Sequence, residues 1–478
     1  MSEHAEQRLG RPSHTESEPA TAHEPTDALG LDTEQMRRLG YWVVDRVVEH
    51  FKHGAEGRVV DASSPGELRA ALGGPVPDAP GDPLEAMQTL VEVALTNMQH
   101  GDHPRCFARV PGPSSYAGVL GEWLGTGFNA IASSWDGGSG PATAELVAMD
   151  WLRELLGLPT GTEGVLLSGG SLSNLTALAA AREAVGPGVA YLSDQTHASI
   201  GRALGALGFP GADVRVVPTD ERLRLTAEAV LEAVGQDRRR GLVPRFIIAT
   251  AGTTNTGAVD DLDGLADLAV AEHLWLHVDG AYGAPAALCP AGRAALGGLQ
   301  RADSLVLDPH KWLYQPYDIG CLFVRRPGVL TRAFSIRPEY LADVRSSAVE
   351  VHFGDRSLEL TRRSRGLKLW LMFRVYGAAR LQAAISRCLA LAEYAEQLLE
   401  ADADWEVITP AQLGIVTFTR RGWSAEDQRA RVAALAAGGY ATLTSTRLQG
   451  LPALRLCTIN PRTTESDIAG TLERLAGG

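Results

Sequence analysis

Apolar residues along this chain recur first with helical spacing and then in short strand-like runs. Apolar positions from Met36 to Phe51 recur every three or four residues, which predicts an amphipathic helix. Asp32 and Gln35 stand before this run at the spacing of a capping pair, so the helix is expected to begin there. A link rich in proline and glycine, Gly73 to Pro83, leads to a second predicted helix, Leu84 to Met98. Two early helices indicate a separate N-terminal segment whose apolar stripes need a surface to cover them, either the body of this chain or a second subunit.

The middle of the chain alternates apolar runs with helical stretches. The predicted strands are the segments "GVLLSGG", "VAYLSD", "RFIIATAGTT", "WLHVDGAYG" and "SLVLDPHKWL". Apolar strands that alternate with helices predict an α/β domain with a mainly parallel sheet covered on both faces. In that architecture ligands bind at the carboxyl ends of the strands, so the residues that end each strand are the candidates for function.

The pattern changes again after about Gly377, where a helical stretch precedes the strand-like segments "GIVTFTR" and "ALRLCTIN". This change predicts a small α+β C-terminal domain. The leader is rich in Glu, Ser, Thr, Pro and His and has no apolar core of a signal peptide, so we expect it to be disordered. The predicted organisation is a disordered leader (1–30), an N-terminal helical segment (31–110), a large domain (111–377) and a small C-terminal domain (378–478).

Composition narrows the class of protein. Of 478 residues, 45% are hydrophobic and 21% are charged, which is typical of a globular enzyme. The net charge of -13 argues against nucleic acid as a partner, and no apolar stretch is long enough to suggest a membrane span. The five cysteines are scattered without a CxxC pair, so neither a disulfide framework nor a metal site is expected. A cytoplasmic protein is the expectation.

The first strand of the middle region ends in "SGGSLSN", Ser168 to Asn174, directly before a helix. Glycines let a backbone approach an anion closely, and a helix N-terminus offers free N–H groups, so phosphate is a natural ligand. The segment is equally consistent with a glycine-rich turn in which Ser173 or Asn174 caps the helix. It matches neither GxGxxG nor the P-loop, which disfavours a nucleotide site.

Two further strand ends carry ionisable groups. Asp279 follows an apolar run, where a carboxylate needs a partner such as a protonated ring nitrogen, or else bonds the amides of its own turn. Lys311 follows the next apolar run along the chain. Lysine is usually exposed to solvent, so its position at the end of a buried strand needs a functional reason. A lysine, a carboxylate and a phosphate cradle at one crevice are the parts that pyridoxal 5'-phosphate (PLP) requires, with the lysine forming a Schiff base to its aldehyde.

From about Thr33 to the C-terminal domain, the chain resembles the group II PLP-dependent amino acid decarboxylases. The motifs that carry this resemblance, in order and spacing, are "MDWLRELLGLP", "SDQTHAS", "GTTNTGAVDDL", "HVDGAYG", "DPHKWL" and "RGLKLWLMFRVYG". The resemblance implies the type I, aspartate aminotransferase-like fold, with a seven-stranded sheet in the large domain. It also implies an obligate homodimer in which the segment 31–110 packs on the partner subunit.

The resemblance assigns roles to individual residues. Lys311 would bond to the cofactor and His310 would lie beside the substrate. Ser171 and the backbone of Leu172 would bind the phosphate, and His197 would stack on the pyridine ring and take part in catalysis. Asp279 would pair with the ring nitrogen, Ala281 would pack on the other ring face, and Thr254 would lie close by. Asp308 replaces the asparagine of some members, and because a carboxylate repels phosphate, its side chain is expected to point elsewhere or to contact a donor.

Two other regions matter for the reaction and its substrate. The segment from Phe334 to Glu350 corresponds to the mobile catalytic loop of the family, and Tyr340 falls at its proton-donating tyrosine. Animal aromatic decarboxylases carry two aromatic residues in the pocket wall where this chain has Arg109 and Val110, which argues against an aromatic pocket. Arg109 is expected either to form a salt bridge outward or to face an acidic or polar group of the substrate. Trp135 aligns with an aromatic residue that reaches across from the second subunit.

The resemblance implies decarboxylation of an L-amino acid to the corresponding amine and CO2. The alternative within enzymology is decarboxylation coupled to oxidative deamination, which yields an aldehyde. Relatives that do this often lack the loop tyrosine, so Tyr340 favours simple decarboxylation. A homologue that binds its cofactor without catalysis is disfavoured by the joint presence of Lys311, Asp279, His197 and Tyr340.

Overall fold

A computed structural model of the chain describes residues 29–336 and 350–477. Its helices are α1 (Thr33–His53), α2 (Pro65–Leu72), α3 (Pro83–Thr89), α4 (Tyr116–Gly127), α5 (Trp135–Leu155), α6 (Gly170–Val185), α7 (Ala198–Ala206), α8 (Ala227–Arg239), α9 (Leu262–Glu272), α10 (Pro290–Ala295), α11 (Pro309–Trp312), α12 (Val329–Phe334), α13 (Gly366–Glu400), α14 (Ala425–Ala437) and α15 (Glu465–Gly477). Its strands are β1 (Glu163–Leu167), β2 (Val189–Ser193), β3 (Val214–Val217), β4 (Pro244–Thr250), β5 (Trp275–Asp279), β6 (Ser304–Leu307), β7 (Gly320–Val324), β8 (Trp405–Gln412), β9 (Ile415–Arg420), β10 (Thr444–Leu448) and β11 (Leu451–Cys457).

The large sheet has seven strands in the order β1-β7-β6-β5-β4-β2-β3. Strands β3, β2, β4, β5 and β6 run parallel to their neighbours, whereas β7 is antiparallel to both β6 and β1. The expected mainly parallel seven-stranded sheet is therefore confirmed. Its parallel neighbours β4, β5 and β6 end at the same edge, which brings together the residues that follow them.

Both faces of this sheet are buried, as the continuous apolar strands indicate. Successive side chains of a strand point to opposite faces. In β1, Val165 and Leu167 pack into one core while Leu166 packs into the other. In β4, Ile247 and Ile248 divide in the same way. Helices cover each face of the sheet, so the side chains on both faces of a strand are buried. The strands are therefore continuous apolar runs, without alternating polar residues.

The N-terminal segment begins as the sequence predicts. Asp32 caps α1, accepting from Gln35 N at 2.8 Å, while the Gln35 side chain accepts from Asp32 N at 3.2 Å, so the capping pair is confirmed. Most of the apolar stripe stays accessible, since Leu39 is the one residue of α1 that is fully buried. The second predicted helix begins at Pro83, and its final turns, Leu90–Leu95, have the wider π geometry.

The C-terminal region forms a separate antiparallel sheet in the order β10-β11-β9-β8. It packs with α14 and α15 around its own apolar core, which includes Phe418 and Leu454. Helix α13 enters this region and is interrupted at Gly377, whose φ of 70° favours glycine. The expected small α+β domain is confirmed. No helix in the described ranges is long and apolar enough to cross a membrane.

Several elements were not predicted from the pattern, among them β3, α2 and β7. Strand β3 is only four residues long, and helix α2 is a short stretch with no buried residue. Strand β7 follows an irregular connection after α11 and pairs both with β6, the strand before it, and with β1, which is distant in sequence. Short elements carry too few repeats for their periodicity to be read, so their formation depends on tertiary contacts.

Candidate active site

A cavity of about 430 Å³ lies at the carboxyl ends of β4, β5 and β6, where the parallel strands meet the first turn of α6. It brings together residues that lie up to 140 positions apart in the sequence. The predicted site residues that line it are Ser171, Leu172, His197, Thr254, Asp279, Ala281, Asp308, His310 and Lys311. The strand ends therefore converge on one cavity.

The floor of the cavity is formed by the start of α6. This helix begins at Gly170, and its N-cap residue, Gly169, has no side chain to cap it. The alternative in which Ser173 or Asn174 caps the helix is therefore wrong, because both are buried inside its first turns. A Cβ on Gly170 would lie 3.0 Å from Asp308 Oδ2 and 3.2 Å from Ala281 Cβ, so glycine keeps this approach open. Uncapped N–H groups at a helix start suit an anion.

Lys311 lies in α11, directly after β6. Its Nζ atom lies 2.9 Å from Oδ2 of Asp308, a carboxylate that is 2% exposed. Burial lowers the pKa of Lys311, but the charge and hydrogen bond of Asp308, with a further contribution from Asp279, outweigh it and raise that pKa. The amine is thus held protonated by Asp308 in this structure.

His310 stands beside the same carboxylate. Its Nδ1 accepts from Ile319 N at 3.3 Å, which leaves the proton on Nε2, 3.6 Å from Asp308 Oδ2. Burial lowers the pKa of His310 more than Asp308 raises it, so the imidazole is neutral near pH 7. Its ring lies 4.7 Å from the ring of Tyr317, measured between centroids.

Asp279 ends β5 at the opposite side of the cavity and is only 4% exposed. Oδ1 accepts from Ala281 N at 3.0 Å and Oδ2 accepts from Asn174 Nδ2 at 3.0 Å. His197 caps α7 through its ring, whose Nδ1 accepts from Ser199 N at 3.2 Å and lies 2.8 Å from Ser199 Oγ. The side chains of Asp279 and His197 are therefore held in place by hydrogen bonds to buried neighbours, Asn174 and Ser199.

Three predicted residues lie elsewhere, and a fourth is not described. Arg109 and Val110 are not in the lining of the cavity: Arg109 is exposed with a φ of 55°, and Val110 packs on the apolar core. Trp135 begins α5 and packs against the other core. The proposed loop tyrosine, Tyr340, lies outside the described residues.

Several residues that the sequence reading did not single out also belong to the site. Ser199 and Thr250 line the cavity, and Tyr317 contacts the ring of His310. Thr250 ends β4, so the rule that strand ends carry function could have found it. Asn174 and His277 had no such signal, because one lies inside a helix and the other inside an apolar strand.

The chain contains three lysines, Lys52, Lys311 and Lys368, and only one of them reaches the cavity. Lys52 is exposed near the end of α1. Lys368 is buried, with its Nζ 2.8 Å from Glu122 and donating to the carbonyl oxygens of Pro316 and Asp318. Lys311 is therefore the amine that is available to a ligand in this cavity.

The polar groups of the cavity fit PLP. The amine of Lys311 matches its aldehyde, the carboxylate of Asp279 matches its ring nitrogen, and the uncapped start of α6 matches its phosphate. Two buried oxygens at the cavity, Thr250 Oγ1 and Asp308 Oδ1, have no hydrogen-bond partner among the described residues, as expected at a site that takes a polar ligand.

Comparisons with known proteins cover nearly the whole chain. The family model of the pyridoxal-dependent decarboxylase conserved domain matches residues 65–421. An aromatic-L-amino-acid decarboxylase from Bacillus atrophaeus is 43% identical over 456 residues, covering 93% of this chain and 95% of that protein. Phenylacetaldehyde synthase from Arabidopsis thaliana is 32% identical over 462 residues, covering 92% and 94%. The crystal structure of Catharanthus roseus tryptophan decarboxylase in complex with L-tryptophan has a TM-score of 0.87 and 31% identity, covering 93% of this chain and 98% of that chain.

Proposed function

This chain belongs to the pyridoxal-dependent decarboxylase family, and we propose that its substrates are aromatic L-amino acids. It is a carboxy-lyase that uses PLP to convert an L-amino acid to the corresponding amine and CO2. The aromatic class is supported by the 43% identity to an aromatic-L-amino-acid decarboxylase over almost the entire chain, and by the structural likeness to an enzyme solved with L-tryptophan.

The observation that carries the proposed roles is the convergence of Lys311, Asp279 and the start of α6 on one cavity. In this proposal Lys311 holds the cofactor through its amine, Asp279 holds the ring nitrogen protonated, and the first turn of α6 with Ser171 binds the phosphate. When bound, PLP supplies an electron sink for the electron pair that CO2 leaves behind. His197, which lines the cavity, would stack on the bound cofactor ring and shield it from water.

Proton handling falls to this chain's own side chains. The neutral imidazole of His310 carries its proton on Nε2 and faces Asp308, so it is suited to orient a substrate carboxylate by hydrogen bonding. Tyr340 is proposed to return a proton to Cα after CO2 leaves, as the loop resemblance implies. Protonation of Cα at this step yields the amine. Without that protonation, oxygen reacts instead and the product is an aldehyde.

An aromatic wall for the substrate is proposed at Tyr317. Its ring contacts His310, which lines the cavity, and its hydroxyl reaches the backbone near Gly112. Burial raises the pKa of Tyr317, and the charge of Lys311 opposes this shift. Tyr317, like Arg109 and Val110, is not in the lining of the cavity, but its ring contacts a lining residue, His310, and so can extend the wall that a substrate meets.

We also propose that the enzyme is a homodimer. The N-terminal segment and α4 expose large apolar side chains that a second copy would cover. These are Met36, Tyr41, Val43, Val48, Leu90, Leu95, Leu120, Leu124 and Phe128. A molar mass near twice 50.8 kDa by light scattering supports the dimer, and a monomer at micromolar concentration contradicts it.

A cytoplasmic location is proposed from the state of the thiols. All five cysteines are buried and unpaired. Free buried thiols are typical of proteins kept in a reducing compartment. Fractionation of the native cell, with the protein found in the soluble cytoplasmic fraction, would support this proposal.

The substrate class is tested with the PLP-loaded enzyme and a panel of L-amino acids. We expect kcat/KM for the best of tryptophan, tyrosine and phenylalanine to exceed that for glutamate and lysine by at least about 100-fold. Tyr317→Ala should raise KM for the aromatic substrate, whereas Tyr317→Phe, which keeps the ring, should not. A preference for an acidic or basic amino acid would contradict the proposal.

A further inference from the structure

Two buried side chains, Asn174 and Ser199, connect Asp279 and His197, which both line the cavity. Asn174 stands between them on α6 and is completely buried. Its Nδ2 lies 3.0 Å from Asp279 Oδ2 and 3.1 Å from Ser199 Oγ, which in turn lies 2.8 Å from His197 Nδ1. One amide therefore contacts both sides of the site.

The other end of Asn174 is held from inside the sheet. Its Oδ1 lies 3.0 Å from His277 Nε2, and His277 Nδ1 lies 2.8 Å from Ser304 Oγ. Ser304 Oγ accepts from Trp275 Nε1 at 2.9 Å. Every side-chain heteroatom of Asn174 and His277 thus has a partner, and both side chains are completely buried.

The direction of each hydrogen bond follows from donor and acceptor chemistry. If the Asn174 amide were reversed, its oxygen would face the Asp279 carboxylate, and two acceptors would meet without a proton. With Nδ2 on that side, Oδ1 must accept, so His277 donates from Nε2 and accepts at Nδ1 from the Ser304 hydroxyl. Burial lowers the pKa of His277 to about 4, which agrees with a neutral ring that donates from one nitrogen only.

The same reasoning fixes the tautomer of His197. Ser199 Oγ accepts from Asn174 Nδ2, so its own proton is free to be donated to His197 Nδ1. Nδ1 also accepts a longer hydrogen bond from Ser199 N, at 3.2 Å, which favours the same tautomer. A neutral His197 therefore carries its proton on Nε2.

We propose that Asn174 and His277 are positioning residues of this decarboxylase, which together fix the orientation of the Asp279 carboxylate and, through Ser199, the tautomer of His197. One carboxylate oxygen of Asp279 accepts from Ala281 N and the other accepts from Asn174 Nδ2, so the carboxylate cannot rotate away from the cavity. This role uses the PLP chemistry of the family and holds whichever amino acid is the substrate.

The first test compares Asn174→Ala with the wild-type enzyme. Loss of a hydrogen bond to a buried carboxylate is expected to raise the PLP dissociation constant by about 10-fold to 100-fold and to lower kcat by a similar factor. KM for the amino acid should stay within about threefold, since the substrate does not touch Asn174. Thr176→Val is the matched control, because it changes a buried hydroxyl two residues along α6 that has no hydrogen-bond partner in the described part of the chain. It should leave PLP affinity and kcat unchanged.

The second test reads the tautomers directly in cofactor-free protein labelled with 15N-histidine. Wild-type His197 and His277 should each show one protonated nitrogen, Nε2. Ser199→Ala removes the shorter of the two hydrogen bonds to His197 Nδ1, at 2.8 Å, and should therefore give His197 a mixture of tautomers. His277→Leu should weaken PLP binding, and His277→Gln, which keeps one donor and one acceptor, should recover most of that loss.

A role in folding alone would lower the melting temperature of these variants without moving the tautomer of His197 or the split between kcat and KM. Unchanged PLP affinity in a folded Asn174→Ala enzyme would overturn the proposal. Should Asn174→Ala fail to fold, an unchanged His197 tautomer in Ser199→Ala would overturn it. PLP affinity and the tautomer of His197 are both measured without substrate. Failure of this proposal is therefore distinguishable from failure of the proposed aromatic substrate class.

Discussion

Lys311 and Asp308 form an ion pair at the bottom of the cavity, with 2.9 Å between Nζ and Oδ2. The carboxylate is almost fully buried, and its other oxygen has no hydrogen-bond partner among the described residues. A lysine must lose its proton before its nitrogen can attack an aldehyde. This pair therefore opposes the first step of cofactor loading and stabilises the cofactor-free enzyme.

Asp308→Asn should speed the loading of PLP. Removing the negative charge lowers the pKa of Lys311, because Asp308 is what raises it against the effect of burial. At a fixed pH, a pKa lower by about one raises the neutral fraction of the Lys311 amine about tenfold. We therefore expect the loading rate at pH 7 to rise between about threefold and tenfold. The measurement is absorbance after rapid mixing, from pH 6 to 9. A loading rate at pH 7 equal to that of the wild type would contradict this account of the ion pair.

Gly170→Ala should weaken PLP binding. The added Cβ would lie 3.0 Å from Asp308 Oδ2 and 3.2 Å from Ala281 Cβ, in the space between the start of α6 and the opposite wall. We expect the PLP dissociation constant to rise at least about tenfold, through overpacking. Gly201→Ala is the control, because a Cβ there meets nothing within 4 Å. Equal affinities of the two variants would argue against phosphate binding at α6.

Tyr340→Phe should redirect the product from amine toward aldehyde. The phenol is the proposed proton donor to Cα, and removing it leaves the carbon exposed to oxygen. Peroxide and aldehyde should then appear while CO2 is still released. The quantities to follow are CO2, amine and peroxide per turnover, with wild-type enzyme as reference. Full retention of amine formation by the variant would exclude Tyr340 as the proton donor.

The attachment of α1 should depend on pH through His50 and Asp102, whose Nε2 and Oδ2 lie 2.6 Å apart. Burial raises the pKa of Asp102, but His50 and Arg462 outweigh it and lower it to about 2, whereas the Asp102 hydrogen bond raises the pKa of His50. A raised histidine pKa stabilises the folded state below pH 6.5, and this contribution is lost as pH rises through the raised value.

Hydrogen exchange of α1 amides is the corresponding measurement. After correction for intrinsic rates, protection should fall about twofold to fivefold between pH 6 and pH 9, as for a partly exposed ion pair. In Asp102→Asn this difference should disappear. Protection of α1 that rises with pH in the wild type would contradict the predicted direction of the pH effect of the His50–Asp102 pair.

Sequence reasoning succeeded where function follows from topology. Asp279 ends β5 and Lys311 follows its parallel neighbour β6, so apolar runs followed by polar residues were enough to place both at one edge of the sheet. The cap of α1 was equally readable, because Asp32 and Gln35 act through local backbone bonds.

It failed where partners are chosen by packing. Asn174 and His277 look like interior residues of a helix and a strand, and nothing local indicates that they bond to each other across about 100 residues. Tyr317 comes from an irregular loop that has no periodicity to read. The orientation of Asp308 toward Lys311 depends on the close approach of α6, which the sequence does not reveal.

The most direct test of the central claim is to locate the cofactor on the chain. The PLP-loaded enzyme is reduced with borohydride, digested and examined by mass spectrometry. With only Lys52, Lys311 and Lys368 to choose from, the account predicts one pyridoxyl phosphate group, on Lys311, and none in Lys311→Ala. Modification of Lys368 or Lys52 in the wild type, or cofactor retained covalently by Lys311→Ala, would contradict it.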